Sequence, residues 1–148
     1  MYYVAIVLQW LHVGLAISWF GAVLFNDFML FPVLARLQSG ARSEFLKVFA
    51  VRFRPVIAAV AGLTILSGIA RGLVLGIDLR TAYGITFLAA IVVAGALAGF
   101  GARVLTPALE RGLEGDLPAF ESLRRLTVYE LAGFLVIFTM MIALRFGY

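Results

Sequence analysis

The sequence contains no cysteine. Disulfides, thiolate metal centres and cysteine nucleophiles are therefore excluded, since each needs that sulfur. Charge is scarce too. Asp, Glu, Lys and Arg make up 14% of the 148 residues, against about a quarter in a soluble domain. Imidazole is scarcer still, because His12 is the single histidine. Ligation by two histidines of one chain is thereby ruled out. The first apolar run begins at once, with no basic segment before it and too great a length for a signal sequence, so no cleavable leader is expected.

What is abundant is oil. Hydrophobic residues make up 64% of the chain, and the mean hydropathy is +1.06. These values place the chain in a bilayer, where the backbone must satisfy its own hydrogen bonds. No period-2 barrel pattern is present, so the spans must be helices. A span needs roughly 20 apolar residues. Four stretches qualify, at about 4–31, 55–77, 81–103 and 126–146. The expectation is an all-α integral membrane protein: one domain, 1–148, folded as an up-down four-helix transmembrane bundle. Pro32 marks an end or kink of the first span, and Pro55 suits the first turn of the second.

Lys and Arg set the expected orientation. Nine of the twelve lie in the two connections that share a side: Arg36, Arg42, Lys47, Arg52, Arg54, Arg103, Arg111, Arg124 and Arg125. The opposite side has Arg80 and Arg145, with Arg71 inside its span. Both termini should then face outward from an inner (plasma) membrane. The formal charge of +4 suits anionic lipid headgroups, and no nucleic acid partner is expected. In the first connection, "SEFLKVFAVRFR" reads as a short interfacial helix. In the second, "LERGLEGDLPAFESLRR" reads as a connector. Gly68 and Gly72, and Gly95 and Gly99, stand four residues apart, a spacing that lets helices approach within the bundle or in a homo-oligomer.

Polar groups inside such spans each need an account, because burying them is costly. His12 lies about 12 Å deep and Arg71 about 9 Å deep, counted from the same end at 1.5 Å per residue. Gln9 is one turn from His12. Trp19 and Asn26 follow it at seven-residue steps, on one stripe. An imidazole and a guanidinium at similar depth suit a b-type haem, with iron on His12 and a propionate on Arg71. Met140 and Met141 are candidates for a second metal ligand, and packing is the commoner role of such residues. The bland alternative is a hydrogen-bonded packing histidine with Arg71 snorkelling outward. At the other end, Asp27, Arg103 and Glu130, with Arg52 and Arg54, are expected to pair and fasten the bundle. A proton path through Glu130 would need a second carboxylate or histidine at mid-depth, and the sequence offers none there.

The stretch "WLHVGLAISWFGAVLF" resembles the first helix of HemJ-type protoporphyrinogen oxidases, through His12, Trp19, Phe20 and Gly21. It also resembles the first helix of CopD-like copper-resistance membrane proteins. "RFRPVIAAVAGLTILSGIARG", "YGITFLAAIVVAGALAGFGAR" and "RRLTVYELAGFLVIF" look CopD-like too. The resemblance implies a four-helix core and, for the HemJ branch, a b-type haem on the first-helix histidine. The third-helix lysine of the HemJ pattern has Ala90 in its place, which speaks against porphyrinogen oxidation. The tyrosine–histidine pair that closes their first helix is absent from "NDFMLFP". The copper branch implies a capture cluster rich in methionine or histidine, and the chain has none. The leading expectation is thus a small b-haem membrane protein for electron transfer or haem handling. The alternatives are a CopD-type copper-handling protein and a non-catalytic subunit of a larger membrane complex.

Overall fold

The computed structural model of the protein describes residues 2–113 and 117–147. Among these there is no strand. Helix α1 (Tyr2–Phe25) runs through a π-helical turn (Asn26–Leu30) into the short α2 (Phe31–Ala35). Helix α3 (Ser39–Leu75) is continuous. Helix α4 (Ala82–Phe100) likewise passes through a π-helical turn (Gly101–Leu105) into α5 (Thr106–Leu113), and α6 (Leu117–Arg145) completes the bundle. Four helical segments are long and apolar enough to cross a membrane: Tyr2–Ala35, Ser39–Leu75, Ala82–Gly112 and Glu121–Arg145. By length and composition, the chain is a multi-pass membrane protein.

The prolines meet the sequence expectation only in part. Pro32 does not end the first helical segment. It follows the Asn26–Leu30 π-turn, whose extra residue is taken up by a bond from Phe31 N to Asn26 O. Pro107 stands in the same place after the Gly101–Leu105 π-turn. Proline cannot donate to the carbonyl four residues back, so the register slips just before the ring. Pro55 lies inside α3 rather than at a helix start. "SEFLKVFAVRFR" is therefore the first part of α3, not a separate interfacial helix. Apolar packing explains this continuity, since Leu46 is fully buried against Leu30 and Leu34. The expected connector also forms helix, in α5 and the start of α6, while Glu114–Asp116 lie outside the described residues.

The α3–α4 turn is specified locally. Gly76 adopts φ +65°, and Ile77 N and Gly76 N return to Gly72 O and Leu73 O. This is the Schellman closure, which favours glycine. Thr81 then caps α4, its Oγ accepting from Gly84 N at 3.0 Å.

Helix α1 packs chiefly on α3, and α4 on α6. The central core is Trp19, Val23, Ala61, Leu97 and Phe134, with the Trp19 and Phe134 rings edge-to-face at 5.1 Å. Large apolar side chains such as Leu66, Leu73, Ile85, Val92 and Leu135 point outward. Water would penalise that surface and lipid does not. Only part of the small-residue pattern is used inside the bundle. A side chain at Gly72 would collide with the Phe87 ring, and one at Gly133 with Leu97. Gly95 and Gly99 have open space where a Cβ would stand, so they are not points of close helix approach.

Candidate functional site

At one end of the bundle, the start of α1, the end of α3, the start of α4 and the end of α6 surround a cavity of about 530 Å³. That size lies within the range of small-molecule and cofactor sites. The walls are largely apolar and aromatic, including Phe20, Phe87, Phe134 and Phe138. Gln9, His12, Trp19, Arg71 and Met141 all line it, so five of the residues singled out from the sequence meet in one place. Met140 is not among the lining residues.

His12 is held by α3. Its Nδ1 lies 2.8 Å from the Thr64 carbonyl oxygen. A carbonyl can only accept, so Nδ1 carries the proton and Nε2 keeps the lone pair. Ser67 Oγ, 3.5 Å from Nδ1, already donates to Leu63 O and Thr64 O and adds little. The partner is thus a backbone oxygen of α3, whereas Gln9, one turn away, forms the cavity wall instead. Gly68 makes the approach possible: a Cβ there would stand 2.9 Å from His12 Cε1.

Arg71 is half-buried on the cavity wall, with no hydrogen-bond or ion-pair partner among the described residues. Two further polar groups line the same cavity, Tyr83 and Arg145. Sequence reasoning counted Arg145 only as a topological charge. Its place at the end of α6, antiparallel to the span before it, was the available signal. Two guanidiniums, one imidazole with a free lone pair and an aromatic wall can hold a flat apolar body bearing two acids and a metal. Trp10 faces outward and takes no part.

The charges at the opposite end do not pair as expected. Arg54 Nη1 binds Glu110 Oε1 at 2.7 Å. Arg103 is exposed. Asp27 and Glu130 converge on a second cavity of about 200 Å³. The π-turn at Asn26–Leu30 adds a residue to the helix and so changes the direction in which Asp27 leaves it. Straight helical arithmetic cannot anticipate that rotation. Trp19 lines both cavities and stands between them.

The fold and the site together define a small all-helical chain with four potential membrane spans and an apolar cavity built around one imidazole. No family model, curated protein or solved structure matches it.

Proposed function

We propose that the protein binds a b-type haem in the His12 cavity and serves electron transfer or haem handling in a membrane. The observation behind this reading is the His12 tautomer: Nδ1 is committed to the Thr64 carbonyl, which leaves Nε2 as a metal ligand on a cavity wall. Metal-ligating histidines characteristically donate their other nitrogen to such an acceptor, which fixes the ring and raises its basicity. The chain's own residues supply the rest. Arg71 and Arg145 would neutralise two propionates, and Trp19 with the phenylalanines excludes water. When bound, haem supplies one-electron redox chemistry. Ala90 lines the cavity where the HemJ pattern has a lysine, so no amine enters from that position. This favours holding a tetrapyrrole over oxidising one.

The basic residues favour an orientation with both termini outside an inner (plasma) membrane, with the cavity in its outer half. A second reading rests on Met141, whose thioether lines the cavity with His12. An imidazole–thioether pair suits copper, as in a CopD-type protein.

Protein purified after growth with ample haem should show a Soret band. His12→Ala should abolish it, and Arg71→Leu should weaken haem binding while leaving iron ligation intact. Absence of the band in the wild type sinks the haem reading. Stoichiometric copper in metal analysis would then favour the second reading. Neither haem nor copper would leave a packing subunit of a larger complex.

A further inference from the structure

The second cavity has no part in the reading above. Two carboxyl side chains face it from different helices, Asp27 after α1 and Glu130 on α6. Glu130 is only 8% exposed. Its Oε1 lies 3.9 Å from the place a Gly101 Cβ would take, against the second π-turn. Asn26 Oδ1 is a buried acceptor without a partner, and the buried Asp27 carboxylate has only the Thr127 side chain beside it as a donor. Leaving such groups unsatisfied costs on the order of 1–3 kcal/mol each, so something that donates belongs here. The cavity has room for several waters.

Arg54 connects this cavity to the surface. Its Nη1 is taken by Glu110, whose side chain is 52% exposed, while Nε and Nη2 are buried and unpaired. The charge of that guanidinium is already balanced by Glu110, so the two carboxyls are left with negative charge to neutralise. A metal ion fits poorly. Among the described residues no third His, Cys, Asp or Glu joins the pair, and Arg54 repels a cation. A proton needs no further ligand. Two carboxyls in apolar walls, here Trp19, Val23, Ile57, Ala61 and Leu97, then titrate as one unit. The π-turns that carry Asp27 and Gly101 are of the kind that recurs at functional sites.

We propose that Asp27 and Glu130 form a proton-exchanging carboxyl pair, filled by water entering beside the Arg54–Glu110 ion pair. The O–H bond of the protonated member breaks as an O–H bond to the other carboxylate forms, directly or through one water. The pair gains its proton from hydronium at the Arg54 surface and returns it to water there. No electron moves. The charged groups facing the pair are Arg54 from α3, with Glu110 of α5 held by it. The remaining polar groups on the wall are Asn26 of the first π-turn, Thr106 of α5 and Thr127 of α6. Arg103 is turned to the surface. The site works whether or not a haem occupies the other cavity.

Trp19 lines this cavity, and Trp10 is the only other tryptophan. In cofactor-free Trp10→Phe protein in micelles, Trp19 emission should change with pH as the pair gains and loses its proton. Asp27→Asn and Glu130→Gln should each remove the change. His12→Ala should keep it, which separates the pair from the imidazole on the other side of Trp19, and Asp78→Asn, in the α3–α4 turn, should keep it too. Infrared spectra of the unmutated chain should show a protonated-carboxyl band that shifts in heavy water. This second measurement holds if either variant fails to fold. The proposal is overturned if the band is absent, if the emission change survives both carboxyl substitutions, or if it is lost with His12. It is equally overturned if sodium at fixed pH reproduces the change, since the cavity would then be a metal-cation site.

Discussion

At the scale of single residues, His12 stays in an apolar helix because α3 offers it both a partner and a space. The partner is a carbonyl, so no side-chain substitution at position 64 removes it. The space is the missing side chain of Gly68. Gly68→Ala places a methyl 2.9 Å from His12 Cε1, closer than real contacts allow. The ring must then leave the Thr64 carbonyl or the helices must part. Overpacking of this kind costs about 1–3 kcal/mol. We expect Gly68→Ala to lower the melting temperature and to weaken haem binding at least tenfold, as read by Soret titration of purified protein. Wild-type binding in that variant would mean that the Thr64 hydrogen bond does not position His12. The need for an imidazole partner was legible from the sequence. Its identity was not, because every residue carries a carbonyl and only the rotation of α3 decides which one is presented.

At the scale of elements, glycines and prolines divide into those that shape a contact and those that do not. Gly72 receives the Phe87 ring, and Gly84 packs against the backbone at Asp78 and Leu79. Gly95 meets nothing. All three read alike in the sequence, as small residues in apolar helices. Gly72→Ala and Gly84→Ala should each destabilise by about 1–3 kcal/mol through overpacking. Gly95→Ala should be neutral or slightly stabilising, since alanine is the better helix former. Thermal unfolding in one detergent compares the three. Equal losses at all three positions would contradict the packing described here. Thr81→Ala removes the cap of α4 and should cost about 1 kcal/mol. The prolines gave a warning without a location. Pro32 signalled a disturbed helix, but the disturbance lies upstream as a π-turn, where the missing N–H is absorbed.

For the whole molecule, the distribution of arginine and lysine fixes an expected direction across the membrane. Ser39→Cys, at the start of α3, should react with an impermeant thiol reagent only from the cytoplasmic side. Leu79→Cys, in the α3–α4 turn, should react only from outside. The wild type has no cysteine to confuse the reading. Labelling in the opposite sense would put the His12 cavity in the inner half of the membrane. The carboxyl pair would then take its proton from outside.

The sequence by itself determined the number and kind of the spans, because lipid accepts few structures other than long apolar helices. It also put His12 and Arg71 at a similar level along the bundle axis, since both are counted at a fixed rise from the same end, and both line the same cavity. Depth along an axis survives folding almost unchanged. Rotation about the axis does not, and it depends on every packed neighbour and on each inserted residue. That is why the tertiary structure alone brought Met141 and not Met140 to the cavity wall, and added Arg145 and Tyr83 to it. It also paired Arg54 with Glu110 rather than with Asp27 or Glu130, and two π-turns ahead of Pro32 and Pro107 reset the faces of their helices. The same turns set Asp27 opposite Glu130 across water-sized space, an arrangement that no linear spacing encodes.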